Sequence, residues 1–320
     1  MGIAMRKEEF FIESRDERHT PVHCVKWEPQ GEPVCILQIV HGMAEYIERY
    51  ERFAEWLCSR DVCVVGNDHL GHGKTARGSE ELGYFCGEDP ATVVVRDVHR
   101  LKKTVQAQHP GVPFFLLGHS MGSFIVRNYI CRYGTGIQGA ILMGTGMTPR
   151  GLLAASKLLA AVQSRICGER HAAKQMNRMA FGGYCKRIAN ARTPFDWLSV
   201  NRDNVSRYME DPLCGFTFTV NGFQTLFELI GRLHDRTLLG QMPGELPVLL
   251  ISGTEDPVGE YGAAVKQVFE SFRGEYGMQD VTLQLVKNAR HEILNETGAE
   301  ETFAYLWDWI RSKADLPERS

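Results

Sequence analysis

Two spacings of apolar residues alternate along this chain. Short apolar runs at Val34–Val40, Val62–Val65, Phe114–Leu117, Ala140–Met143, Leu246–Ser252 and Val281–Val286 have the length and continuity of strands buried on both faces. Between them, apolar residues recur at helical spacing: Tyr50, Phe53, Ala54 and Leu57 in a helix from about Tyr46 to Arg60; Val94, Val98, Leu101 and Val105 from about Ala91 to Gln108; and a helix from about Tyr261 to Phe272. Phe303, Leu306, Trp307 and Ile310 form the buried face of a last helix, with a polar, frayed end after Lys313. Near the start, Phe10–Ile12 and Val22–Trp27 flank the polar turn Ser14–Arg18, which predicts two antiparallel strands at a sheet edge. Strand and helix in alternation imply a mostly parallel central sheet with helices on both faces.

The alternation stops at Pro149 and resumes near Leu238. The expected organisation is a core of residues 1–148 and 239–320 with a helical cap, residues 149–238, inserted between two strands. Within it, Gly151–Val162 is apolar nearly all round and too short to cross a bilayer; it reads as a buried helix or, second, as a lid helix facing lipid or an acyl chain. Thr193–Ser199, Asp211–Phe216 and Phe223–Phe227 add aromatic residues and leucines. An apolar cap over the carboxyl edge of a sheet implies an apolar substrate.

Composition narrows the class. With 320 residues, 43% hydrophobic and 23% charged, and a formal charge of −3, the chain gives nucleic acid binding no electrostatic support. Nine cysteines occur without C-x-x-C pairs, and Cys35, Cys63 and Cys131 sit in apolar or helical runs; they read as reduced thiols in a reducing compartment. Met1–Phe10 has no apolar leader, so a cytoplasmic protein without a spanning helix is expected. Asp68-His69-x-x-His72 superficially offers metal ligands. Gly71 and Gly73 and the lack of further ligands at suitable spacing favour a glycine-rich loop, so no metal is expected.

Chemistry concentrates where a strand runs into a helix at Gly118-His119-Ser120-Met121-Gly122. Glycine on both sides removes the Cβ atoms that would collide on a sharp turn, which leaves Ser120 exposed as a nucleophile. In a parallel sheet, residues just past the strands' carboxyl ends converge, so Ser120, Asp256 and His291 are expected to meet there. Their chain order is that of α/β-hydrolases and of neither other common serine-protease arrangement. His291 would take the Ser120 proton and Asp256 would orient the imidazole, with Glu255 the rival acid. The backbone N–H groups of Met43 and Met121 are the expected oxyanion-hole donors.

His41-Gly42-Met43-Ala44-Glu45, Asp68–Gly73, Gly118–Gly122, Gly253–Pro257 and His291-Glu292 together resemble the monoacylglycerol lipase and lysophospholipase branch of the α/β-hydrolase superfamily, over about Val34 to Ile310. The cap carries no such motif. The resemblance implies hydrolysis of the ester of a single acyl chain through an acyl-enzyme, an apolar tunnel shaped by the cap, transient contact of the cap with a membrane surface, and no cofactor. A prolyl-aminopeptidase-like enzyme or a thioesterase on the same scaffold is the alternative; Glu210 and Asp211 are acidic residues of the kind an aminopeptidase uses to hold a substrate ammonium. A catalytically silent receptor would lack one of the three residues. Dehalogenase or epoxide hydrolase chemistry would require a carboxylate at position 120.

Overall fold

The computed structural model of the chain describes residues 5–316. The leader reading of Met1–Phe10 and the polar end after Lys313 fall partly outside them. Eight strands form a single sheet: β1 (Arg6–Glu13), β2 (Pro21–Glu28), β3 (Cys35–Val40), β4 (Val62–Asn67), β5 (Phe114–His119), β6 (Gly139–Met143), β7 (Val248–Gly253) and β8 (Val281–Val286). Their order is β1-β2-β4-β3-β5-β6-β7-β8. The pairs β1/β2 and β2/β4 are antiparallel and every later pair is parallel, so the antiparallel strands lie at one edge as the sequence predicts.

The central strands β3 to β7 are buried along their whole length because both sheet faces are covered there, whereas the edge strand β1 is mostly exposed. In β5, Phe114 and Leu116 join one apolar layer, and Phe115 and Leu117 the other, as the two-residue strand period requires. Helices α2 (Pro90–Gln108) and α3 (Met121–Tyr133) supply Val94, Val98, Ile125 and Tyr129 to the first layer. Helices α1 (Glu51–Cys58) and α10 (Ala299–Lys313) supply Phe53, Leu57, Phe303 and Ile310 to the second. Each fully buried side chain of this kind is worth roughly 1.5–3 kcal/mol.

Between the paired strands β6 and β7 run α4 (Arg150–Cys167), α5 (Lys174–Phe181), α6 (Arg202–Glu210), α7 (Val220–Arg232) and the short α8 (Arg236–Leu239). The buried-helix reading of Gly151–Val162 is overturned. α4 rests on α7 through Leu153 and Ala160, while Leu152, Leu158, Val162 and Ile166 are 60%, 67%, 46% and 77% exposed. An all-round apolar pattern does not say whether a second layer exists to cover the far side, and none of the described residues does so.

Two other helices differ from their sequence patterns. The first begins with a 3₁₀ turn at Ile47–Tyr50, pinned by the Ile47 N–H donating to Asp68 Oδ1 at 2.9 Å. The helix expected over 261–272 is α9 (Ala263–Glu270), which starts after Gly262 at φ 91° and widens into a π-helical turn at Ser271–Glu275.

Candidate active site

Ser120 occupies the turn between β5 and α3 with φ 54° and ψ −120°, a backbone conformation that side-chain-bearing residues rarely adopt. A Cβ at Gly122 would lie 1.9 Å from the Val40 carbonyl oxygen, and one at Gly118 would lie 2.4 Å from that of Gly122. Only glycine lets α3 leave the sheet this close to β3. The Ser120 N–H donates to the Met143 carbonyl at 2.9 Å, and the Ser123 hydroxyl donates to the Ser120 carbonyl at 2.6 Å, which fixes the turn from both sides.

Asp256 follows β7, and His291 lies in the loop between β8 and α10. Both are buried, and His291 Nδ1 meets Asp256 Oδ2 at 2.9 Å. The carboxylate also accepts from the Ser252 hydroxyl at 3.1 Å and the Val258 N–H at 2.9 Å. Burial pushes the Asp256 carboxyl up, but the charge and hydrogen bond of His291 outweigh it and hold the group below its ordinary value. A carboxylate at Nδ1 places the ring proton there and leaves Nε2 as the basic nitrogen. Nε2 is buried without a hydrogen-bond partner. The Ser120 Oγ to His291 Nε2 hydrogen bond is therefore not formed in this conformation; such contacts are often loose before substrate binds and tighten with it. Glu255 is exposed and takes no part in the pair.

Gly144, at φ 60°, makes room for the imidazole: a Cβ there would sit 3.0 Å from His291 Cε1. Trp197, from the segment between β6 and β7, lies with its ring centroid 5.1 Å from that of His291.

The loop after β3 runs beside Ser120, since a Cβ on Gly42 would come within 3.1 Å of Ser120 Cβ. Met43 is next in that loop. Met121 is the first residue of α3, so its N–H is among those a helix leaves without an internal acceptor. Glu45 anchors the loop from below, with Oε1 accepting from the Gly42 N–H at 2.6 Å, the Tyr50 hydroxyl at 2.9 Å and His119 Nδ1 at 3.0 Å. Burial disfavours charge on both Glu45 and His119. Their mutual hydrogen bond prevails, holding the carboxyl well below its usual range and raising the imidazole.

Arg49 joins Glu45 at 2.8 Å to Glu292, which it grips through both guanidinium arms at 2.7 Å. Asn204 of α6 donates to Glu292 at 2.6 Å, and Tyr208 donates to the Ala44 carbonyl at 3.0 Å. Sequence reasoning assigned Glu45, Arg49, His119 and Glu292 no role. The signal available was the four-residue spacing of Glu45 and Arg49 on a helical turn; nothing local announced His119 or Glu292 as partners.

Asp68, His69 and His72 are occupied by structure. Asp68 accepts from His23 Nδ1 at 2.8 Å, the Ile47 N–H and the Lys74 N–H at 2.8 Å. His69 and His72 pack against His41 and bond backbone carbonyls, and burial drives all three imidazoles down, His41 to about 4 and His72 to about 3. Glu28, Cys63 and His109 bring ligand-type atoms within 4.8 Å of one another, but Arg6 and Lys26 pair with Glu28 there and already neutralise the carboxylate.

Residues 31–298 match the family described as serine aminopeptidase S33. The chain is 30% identical to the monoglyceride lipase of Mus musculus over 275 residues, 85% of this chain and 80% of that protein. It is 26% identical to the monoacylglycerol lipase of Mycolicibacterium smegmatis over 295 residues, 89% and 91% of the two chains. Among solved structures, a thermostable carboxyl esterase from Bacillus coagulans in complex with glycerol superposes with a TM-score of 0.88 at 28% identity, covering 97% of this chain and 100% of the other.

Proposed function

Since the chain belongs to the serine aminopeptidase S33 family, we propose that Ser120, His291 and Asp256 are its catalytic residues and that the Met43 and Met121 N–H groups form its oxyanion hole. The chain is a serine hydrolase of carboxylic esters, and its substrate class is the monoacylglycerols, with lysophospholipids as close relatives. The observation that carries the assignment of roles is the imidazole of His291, held through Nδ1 by Asp256 with Nε2 unpartnered, its ring packed 4.7 Å from that of His119 in the strained serine turn.

In the forward reaction Ser120 Oγ attacks the ester carbonyl as Nε2 takes its proton, and Asp256 stabilises the imidazolium. The two N–H groups hold the oxygen that gains charge; losing one such donor costs about 3 kcal/mol in the barrier. The imidazolium then protonates the departing alcohol, and water, activated by the same nitrogen, releases the acid from Ser120. The segment 149–238 acts as the cap: Trp197 supports a roof over His291, and the exposed Leu158, Val162 and Ile166 of α4 support contact with a membrane surface that delivers single-chain lipids. No helix among the described residues is long and apolar enough to cross a membrane. All nine cysteines are unpaired, which supports a reducing, cytoplasmic setting.

Asp211 is engaged by the Tyr46 hydroxyl at 2.6 Å and the Leu213 N–H at 2.8 Å, and Glu45 and Glu292 are already paired, Glu292 with Arg49 and Glu45 with Arg49 and His119, which argues against an ammonium site and for an ester substrate. A fluorophosphonate should label Ser120 stoichiometrically, and kcat/KM should rank a monoacylglycerol above a lysophospholipid and far above an aminoacyl amide. Label elsewhere would remove the nucleophile, and a preference for proline amides would replace the substrate class.

A further inference from the structure

A cleft of about 230 Å³ opens between α3, the β6–α4 connection, α8 and the π-helical turn. Arg127, Arg150, His234, Arg236, Glu275 and Tyr276 line it. Arg127 is only 1% exposed; its Nη1 donates to the Gly146 carbonyl at 3.0 Å, while Nε, equally buried, has no partner. Among the described residues no carboxylate pairs with it; the Phe272 ring lies 5.8 Å from its charge. Burial pulls the guanidinium down to about 10, which leaves it charged at neutral pH.

A protein rarely buries a lone guanidinium, because the lost hydration is offset only by a partner of opposite charge. The sole acid lining the cleft, Glu275, is already taken by Arg236 at 2.7 Å. Among the described residues neither Arg127, buried, nor Arg150, exposed at the cleft's edge, has a carboxylate partner, so the space before them carries an excess of positive charge that suits a dianion with a small organic remainder. Guanidinium forks match the oxygens of a phosphate, and two excess charges favour phosphate over a carboxylate.

We propose that this cleft binds a phosphate group, gripped by Arg127 and Arg150 with Arg236 at its mouth. The site is separate from the ester-hydrolysing machinery and does not depend on the roles assigned there. Its position has a consequence for that machinery. Arg150 opens α4 and donates to the His234 carbonyl beyond α7 at 2.6 Å, while His234 Nε2 bonds the Thr148 carbonyl at 2.8 Å, so the two ends of the 149–238 segment are tied together at the cleft. Arg127 belongs to the helix that begins beside Ser120. A bound phosphate clasps both ends of the segment to that helix.

The test is isothermal titration of the whole chain, at constant ionic strength, with inorganic phosphate, glycerol 3-phosphate and acetate. Saturable binding is expected, with at least a roughly tenfold loss of affinity in both Arg127→Met and Arg150→Gln. Arg150 is exposed, so its variant keeps the test valid if Arg127→Met does not fold. Tighter binding of glycerol 3-phosphate than of phosphate assigns the ligand as a small phosphate ester, and the reverse assigns free phosphate. Acetate binding as well as phosphate, affinities unchanged in Arg150→Gln, or no saturable heat would overturn the proposal.

Discussion

His291 and His23 each place Nδ1 against a buried aspartate, at 2.9 Å from Asp256 and 2.8 Å from Asp68. Both rings are buried, and both aspartates accept further hydrogen bonds from backbone N–H groups. The difference is at the other nitrogen. His23 Nε2 is held by Glu9 at 2.9 Å, so both ring nitrogens are committed and the imidazole serves as a clamp between β1, β2 and the Asp68 loop. His291 Nε2 has no partner, and its ring packs 4.7 Å from that of His119, the residue before Ser120. A histidine–aspartate pair is therefore not by itself a catalytic signal; on the roles proposed above, the state of the distal nitrogen separates the base from the brace.

That contrast can be tested by ranked substitutions. His291→Ala should cut kcat by on the order of 10⁶ with the fold intact, because the proton then has no acceptor. Asp256→Asn should cost about 10⁴ in kcat through the wrong tautomer, whereas Asp68→Asn should leave kcat within a few-fold and cost about 3 kcal/mol in urea melts. A comparable kcat loss in the two aspartate variants would break the distinction.

His23→Gln should cost about 2 kcal/mol, and its effect should depend on pH. Burial opposes the charge on His23, but Asp68 and Glu9 raise its pKa above the unfolded value. The stabilisation is full below the unfolded pKa and is lost as pH rises through the folded one. The gap between wild type and variant should narrow as pH rises from the unfolded imidazole value of about 6.5 through the raised folded one, and a gap that widens would refute the clamp. The smallest effect belongs to Glu9, drawn down to about 2 by Lys74 and His23 but close to half exposed. Glu9→Gln should cost less than about 1 kcal/mol, and less still at high salt.

The same contrast marks what could be read without coordinates. The sheet was legible because β3 to β7 are buried on both faces, so runs such as Phe114–Leu117 are continuously apolar over a strand's length and too short for a buried helix. The turn at Ser120 was legible because its two glycines are demanded by backbone contacts close in sequence and in space. The braces were not. Glu45 with His119, Glu292 with Arg49 and His23 with Asp68 are separated by 74, 243 and 45 residues, and each pairing depends on register between elements. Burial of α4 was misjudged for a related reason, since apolarity at Leu158 and Ile166 does not reveal whether anything packs there.

With Ser120 as the proposed nucleophile, its backbone angle sets stability and reactivity against each other. Glycine enters that region freely, so a chain carrying Ser120→Gly would shed a conformational penalty of about 1 kcal/mol or more together with the hydroxyl. The inactive molecule would then outlast the active one on heating, and an experiment that selected survivors by heat tolerance alone would drift toward silence at this position.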